Sequence, residues 1–351
     1  MEGEKAVADV EQKQNDKLDL FKCIAIYSTI FAHAPLPGAV GQLLAALAKF
    51  SVVVFFLSSG YFSWEKNSRT LGRRSLRMGK LLLETSVMLL LFGCVLAVKG
   101  GQTVSAYLLS RMNPLFLKEI VLYQVLPFPY AWPMWYLTAQ FMVYVIWWSI
   151  TYISERLGKR LPYNVLGAAA LGLLLLHLSL GEWRAMTGQT PLNNMYLRNT
   201  WLDGLPFFTL GVWMREHREG LQTKGNVPWL WCGVAVSVLL AVWEHSRVGV
   251  VDVFVGTTSV AFLLVWLSLC SPQIPSPWLR RTACWCGKNL TFYIYVIHVP
   301  LYGVMKEWAG QVPVFAWAMG RPWLMPFLIT FLSTLAAWAI YFRPWRKRRQ
   351  R

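Results

Sequence analysis

The chain has 351 residues, 56% of them hydrophobic and 15% charged, with a mean hydropathy of +0.40 and 19 tryptophans. Apolar runs near the length of a bilayer crossing recur along it, which excludes a soluble globular domain and predicts an all-α, polytopic membrane protein. A net charge of +17 would point to nucleic acid in a soluble protein, but here the positive-inside rule accounts for most of it, so no nucleic-acid partner is expected.

Residues 1–18 are polar and mixed in charge, without the basic start, short apolar core and small-residue site of a cleaved signal, so a cytoplasmic tail and a retained first helix are expected. Apolar spans read against turn and charge signals predict about ten transmembrane helices, near 19–36, 41–62, 81–98, 132–153, 163–180, 201–214, 228–243, 251–270, 290–306 and 323–342. With the N-terminus inside, the cytoplasmic segments carry 24 Lys and Arg and the outer segments 8. That bias puts both termini in the cytoplasm. The tail RPWRKRRQR, 343–351, reads as a topology anchor beside anionic lipid. Without a repeat or a long linker, residues 19–342 are expected to form one membrane domain.

The first helix, DLFKCIAIYSTIFAHAP (19–35), carries Lys22 and His33 eleven residues apart. At about 100° per residue the two fall within roughly 20° on one face, about 16 Å apart along the axis. An inward-facing histidine in a membrane helix is either functional or a helix-to-helix hydrogen bond. Lys22 lies near the start of its span, where snorkelling to the headgroups is the alternative. Lys49, mid-span in the second helix, has the same two readings. After FFLSSGYF (55–62) comes a predicted cytoplasmic loop, RTLGRRSLRMGK (69–80), whose Arg73, Arg74, Arg77 and Lys80 suit phosphates and equally suit topology. Glu84 is expected to pair with Lys80 one helical turn back. The six cysteines make no disulfide or zinc framework and read as packing residues. His217 and His245 fall in loops or at helix ends and take no role.

These pieces form a series. D-x-x-K-x10-H in the first helix, FFLSSGY closing the second, RRSLR after it, MWYLTAQFMVY (134–144), PFFTLGVWM (206–214) and GKNLTFYIYVIH (287–298) resemble, in that order, the signatures of the acyltransferase type 3 family of integral membrane O-acyltransferases. The resemblance covers about Asp19 to Tyr341. It implies transfer of an acyl group, commonly acetyl from cytoplasmic acetyl-CoA, to a hydroxyl on an extracytoplasmic glycan or similar acceptor. It implies that His33 is the central catalytic residue. The family's basic partner is most often Arg and here is Lys22, a point charge without bidentate geometry, as in the fucose-acetylase-like branch. Gln140 stands where many members have Glu, which leaves it an amide hydrogen bond. The proline that often follows R-x-x-R is replaced by Lys80, and the esterase-like extra domain of some relatives is absent.

The chemistry agrees with the resemblance, because acyl transfer from a thioester to an alcohol needs a base for the hydroxyl proton and histidine titrates nearest neutrality. His33 takes that role, either as base or through an acyl-histidine, and His298 in the Y-x-x-H signature is the second catalytic candidate, with a structural hydrogen bond as its other reading. Arg74, Arg77 and Lys22 are the expected donor-binding residues. Trp135, Tyr136, Gln140 and Tyr295 are expected to meet the acceptor, and the outer segments add Trp132, Asn193, Asn194, Arg198 and Asp203; anchoring at the membrane interface is the other reading of the Trp and Tyr residues. No metal is expected. The chain has no G-x-S-x-G, H-E-x-x-H, G-x-x-x-x-G-K-[ST] or H-x4-D motif, which excludes the usual serine hydrolase, zincin, P-loop and glycerolipid acyltransferase readings. The expectation is an acetyl-CoA-dependent O-acetyltransferase of the bacterial cytoplasmic membrane acting on a cell-envelope polysaccharide. The competing reading is a secondary transporter or flippase for a surface-glycan precursor, since buried Lys and His also suit a substrate path.

Overall fold

Asn15 opens the first helix: its side chain accepts from the Leu18 N–H at 2.9 Å and donates to the Ser268 carbonyl at 3.0 Å. The computed structural model describes residues 15–111, 118–249 and 251–342; the basic tail 343–351 and most of the N-terminal tail lie outside them. Helix α1 runs Asp16–His33, with Asp16 and Asp19 in the first turn, where the helix dipole favours carboxylates. Pro35 and Pro37 end it. The second apolar stretch is two helices rather than one, α2 Gly38–Leu47 and α3 Phe50–Tyr61. Between them the hydrogen bonds tighten to i−3, with Lys49 N–H on the Ala46 carbonyl at 3.3 Å and Ser51 N–H on that of Ala48 at 3.0 Å. Lys49 does not snorkel: its Nζ is buried and lies 4.5 Å over the Phe254 ring.

The expected loop 69–80 is helix. Helix α4, Ser68–Lys99, is 32 residues long and starts where the Asn67 side chain accepts from the Thr70 N–H at 2.9 Å. No proline interrupts 68–99, so charge density alone does not stop the helix, and the arginines ride on its first turns. The Lys80–Glu84 pair forms as expected, at 3.6 Å. The remaining long helices are α5 Trp135–Arg156, α6 Tyr163–Leu178, α7 Leu205–Glu216, α8 Val227–Val248, α9 Val255–Cys270, α10 Thr291–Glu307 and α11 Met325–Tyr341. No strand occurs among the described residues. Four stretches are long and apolar enough to cross a membrane: Gly38–Tyr61, Ser68–Lys99, Tyr163–Met186 and Val227–Val248. Only 22% of the apolar window of α4 is buried, and Leu83, Leu91, Val95 and Val98 are exposed on it, as lipid contact requires.

The chain divides into two compact units, residues 1–58 with 217–351, and residues 59–216. In the first, α8 packs along α9, α10 along α11, and α1 against the short helix Trp285–Asn289. A Cβ at Gly287 would lie 1.8 Å from the Asp19 carbonyl oxygen, so the GKNLTFY motif needs glycine to bring that backbone onto α1. In the second unit α4 packs along α5 and α6 along α7. There Gly60 of FFLSSGY meets α7 in the same way, 1.8 Å from the Phe208 carbonyl oxygen. Lipid offers little hydrophobic force between helices, and such close backbone approach is what holds them.

Candidate active site

Two histidines meet in the first unit. His33 is the last residue of α1, half-buried, and its ring stacks on that of His298 with centroids 5.3 Å apart and 19° between planes. His298 sits mid-α10, 1% exposed, with its Nδ1 3.1 Å from the Ile294 carbonyl oxygen. A carbonyl only accepts, so in the neutral ring Nδ1 carries the proton and Nε2 the lone pair. That Nε2 is buried and has no hydrogen-bond partner among the described residues. Tyr295, also buried, tilts its ring against His298 at 5.9 Å. An imidazole with a fixed tautomer, a second imidazole and a phenol are therefore brought together in the helix bundle. The sequence assigned all three residues separately, and the fold brings them together.

Lys22 lies on the same continuous helix as His33, three turns earlier, with its Nζ 2.5 Å from Asp19 Oδ1. The D-x-x-K element is thus an i,i+3 ion pair. All six cysteines are free. Cys286 lies 3.3 Å from the Tyr27 hydroxyl, which also contacts Thr334 at 3.2 Å. Burial pushes the Cys284 thiol up to about 11, helped by the nearby Asp16 and Asp19 carboxylates, in keeping with a packing role. His245 Nδ1 is 3.0 Å from its own helix end at Gly249 and His217 flanks a short helix.

The second unit holds charged networks. Arg74 Nη1 donates to the Phe62 carbonyl and the Ser63 hydroxyl, both at 2.9 Å, so part of its guanidinium closes the end of α3; Arg77 is exposed on α4. Tyr136 donates to Gln140 Oε1 at 3.2 Å, while Gln140 is 1% exposed and its amide nitrogen has no partner among the described residues. Trp135 is half-buried and Trp132 exposed. Asn193 caps the short helix Asn194–Leu197 through the Met195 N–H at 2.9 Å, which gives it a local structural job. Asp203 is buried, with His177 Nδ1 3.2 Å from its carboxylate and 3.0 Å from the Leu202 carbonyl. Sequence reading passed over His177. The signal was a histidine within LLLLHLSL, an ionisable group in an apolar helix. It also passed over Arg215, 5% exposed, whose guanidinium donates to the Tyr61 hydroxyl and stacks on Tyr61 and Trp64 at 4.9 and 5.6 Å. Glu155, at the polar end of α5, accepts from the hydroxyl and the backbone N–H of Ser68, and both hold its carboxyl below the usual range.

No curated protein and no solved structure matches the chain. The family model described as an acyltransferase domain matches residues 15–342. That span takes in α1 through α11 with the stacked histidines, and apolar helices of bilayer length run through it. The chain belongs to the acyltransferase type 3 family and is a membrane acyltransferase.

Proposed function

We propose that this acyltransferase moves an acetyl group from acetyl-CoA, bound from the cytoplasm, to a hydroxyl of an extracytoplasmic glycan or glycoconjugate. The membrane is the bacterial cell membrane, crossed ten times with both termini inside, and Lys22 in place of Arg fits the fucose-acetylase-like branch. The observation that carries the reading is the stacked His33–His298 pair, with the His298 tautomer fixed by the Ile294 carbonyl. A histidine takes the acceptor hydroxyl proton, the oxygen attacks the thioester carbonyl, and the C–S bond breaks to release CoA, whose sulfur ends with that proton. His33 at the helix end is the base, and His298 orients it or relays the proton. Lys22, shared with Asp19, and the Arg74 and Arg77 face of α4 attract donor phosphates. Trp135, Tyr136, Gln140 and Tyr295 take the acceptor, with the Gln140 amide N–H as a donor to a sugar oxygen.

The test is turnover of labelled acetyl-CoA by purified protein in lipid nanodiscs, with mass spectrometry of surface glycans from cells with and without the gene. His33→Ala should lower transfer by roughly 100- to 10,000-fold and still bind acetyl-CoA. Substantial turnover by folded His33→Ala would overturn the assignment and move the base to His298. Transport of an unmodified glycan precursor, with no acetyl transfer, would favour the flippase reading.

A further inference from the structure

A cavity of about 380 Å³ opens in the second unit, between the 63–67 turn after α3, the polar end of α5 and the start of α6. That volume lies in the range of small-molecule sites. Trp64 and Trp147 give it aromatic walls, and Thr151 and Ser154 give it hydroxyls. Trp147 is 3% exposed, and its indole N–H is buried with no partner among the described residues. A buried donor left unpaired is costly, and indole can only donate, so the site wants a flat ligand that carries acceptors.

The charges narrow the ligand further. Two carboxylates, Glu65 and Glu155, line the cavity, and a third, Glu216, lies behind Trp64 and Arg160. Glu216 accepts from Trp64 Nε1 at 2.6 Å and pairs with Arg160 at 2.9 Å. Glu65 shares Arg160 at 3.5 Å, and Glu155 is held by Ser68. Lys66 lines the cavity and makes no ion pair among the described residues, and the Arg160 side chain is 68% exposed at the rim. Arg160 is shared between Glu65 and Glu216, so the lining is close to neutral and Lys66 is the cation left to meet a phosphate.

We infer that the cavity bounded by Trp64, Trp147, Thr151 and Lys66 binds the nucleotide end of the acyl donor, an adenine stacked on indole with its ribose phosphate at Lys66. This rests on the acetyl-CoA reading above. Purine nitrogens supply the acceptors that the Trp147 N–H lacks, and base–indole stacking tolerates small changes of angle. The donor-binding part of the protein then extends well beyond the R-x-x-R face.

The probe is 3′,5′-ADP, titrated calorimetrically against purified protein in nanodiscs. Wild type should bind it saturably, and Thr151→Trp, which fills the cavity, should weaken binding about tenfold or more. Trp64→Ala should weaken it likewise, while Trp64→Phe keeps the aromatic face and most of the affinity. The KM for acetyl-CoA should rise with Thr151→Trp while kcat changes little. Size-exclusion profiles and melting curves establish that each variant is folded. Undiminished 3′,5′-ADP binding by folded Thr151→Trp overturns the inference, as does a wild type that binds spermidine but not 3′,5′-ADP. His33-dependent acetyl transfer alongside 3′,5′-ADP binding indifferent to Thr151→Trp sinks the cavity alone. Cavity-dependent 3′,5′-ADP binding without any acetyl transfer sustains the cavity and sinks the acetyltransferase reading.

Discussion

The two units hold their polar groups in opposite ways. In the unit formed by 15–58 and 217–342, the buried imidazole of His298 is fixed by backbone, against the Ile294 carbonyl, and packs on the rings of His33 and Tyr295. In the 59–216 unit, several charged side chains are held by other side chains: Arg160 bridges Glu65 and Glu216, Arg215 lies on Tyr61 and Trp64, and Arg74 donates to the Ser63 hydroxyl. A backbone anchor sets one geometry and leaves a ring nitrogen available, which is what a proton-transfer step requires. A network of flexible side chains gives way to an incoming ligand, which is what a binding mouth requires. On the proposed function, the first arrangement suits proton transfer and the second suits ligand capture.

The sharpest way to break this comparison is at His298. His298→Ala should lower acetyl transfer about 100-fold or more, and His298→Asn, whose amide N–H can still reach the Ile294 carbonyl, should be about as poor. Activity retained by His298→Asn would make the residue a structural peg and remove the chemical character of its unit. A smaller effect, of about 1–3 kcal/mol in stability, is expected for Gly287→Val and for Gly60→Val, since each new side chain meets a backbone oxygen at 1.8 Å. Melting in detergent or nanodiscs checks it, and unchanged melting in either would mean that the glycine is not needed for backbone contact. The smallest effect belongs to Arg160→Ala. That side chain is 68% exposed, so its two ion pairs should contribute less than about 1 kcal/mol, and a larger loss of stability would show that the capture region is as rigid as the His pair.

Much of this was legible in the sequence because membrane helices announce themselves through apolar runs, and because Lys22 and His33 sit a whole number of turns apart on one of them. Other features were hidden for definable reasons. Residues 69–80 read as a loop because arginine density signals a cytoplasmic segment, yet nothing in SRTLGRRSLRMGK breaks a helix and Asn67 caps it. The break at Ala48–Lys49 has no proline or glycine to mark it. The stacking of His33 on His298 joins residues 265 positions apart, and the Trp64–Trp147–Arg160 cavity gathers three separate stretches. No local pattern encodes such a meeting. Arg74 was expected among the phosphate ligands, and its bonds to Phe62 and Ser63 show what a charge count cannot, namely which hydrogens of a guanidinium are already in use.

The length of α4 has a mechanical consequence. Its 32 residues span about 48 Å at 1.5 Å per residue, whereas the hydrocarbon core is about 30 Å thick. The surplus is a stiff spar that carries Arg69, Arg73, Arg74 and Arg77 beyond the oil at fixed height and azimuth. Tilting the spar would move all four together, and Arg74 hydrogen-bonds to the Phe62 carbonyl just past the end of α3. Reconstitution into bilayers of graded chain length would read that lever directly, as a donor affinity that follows thickness.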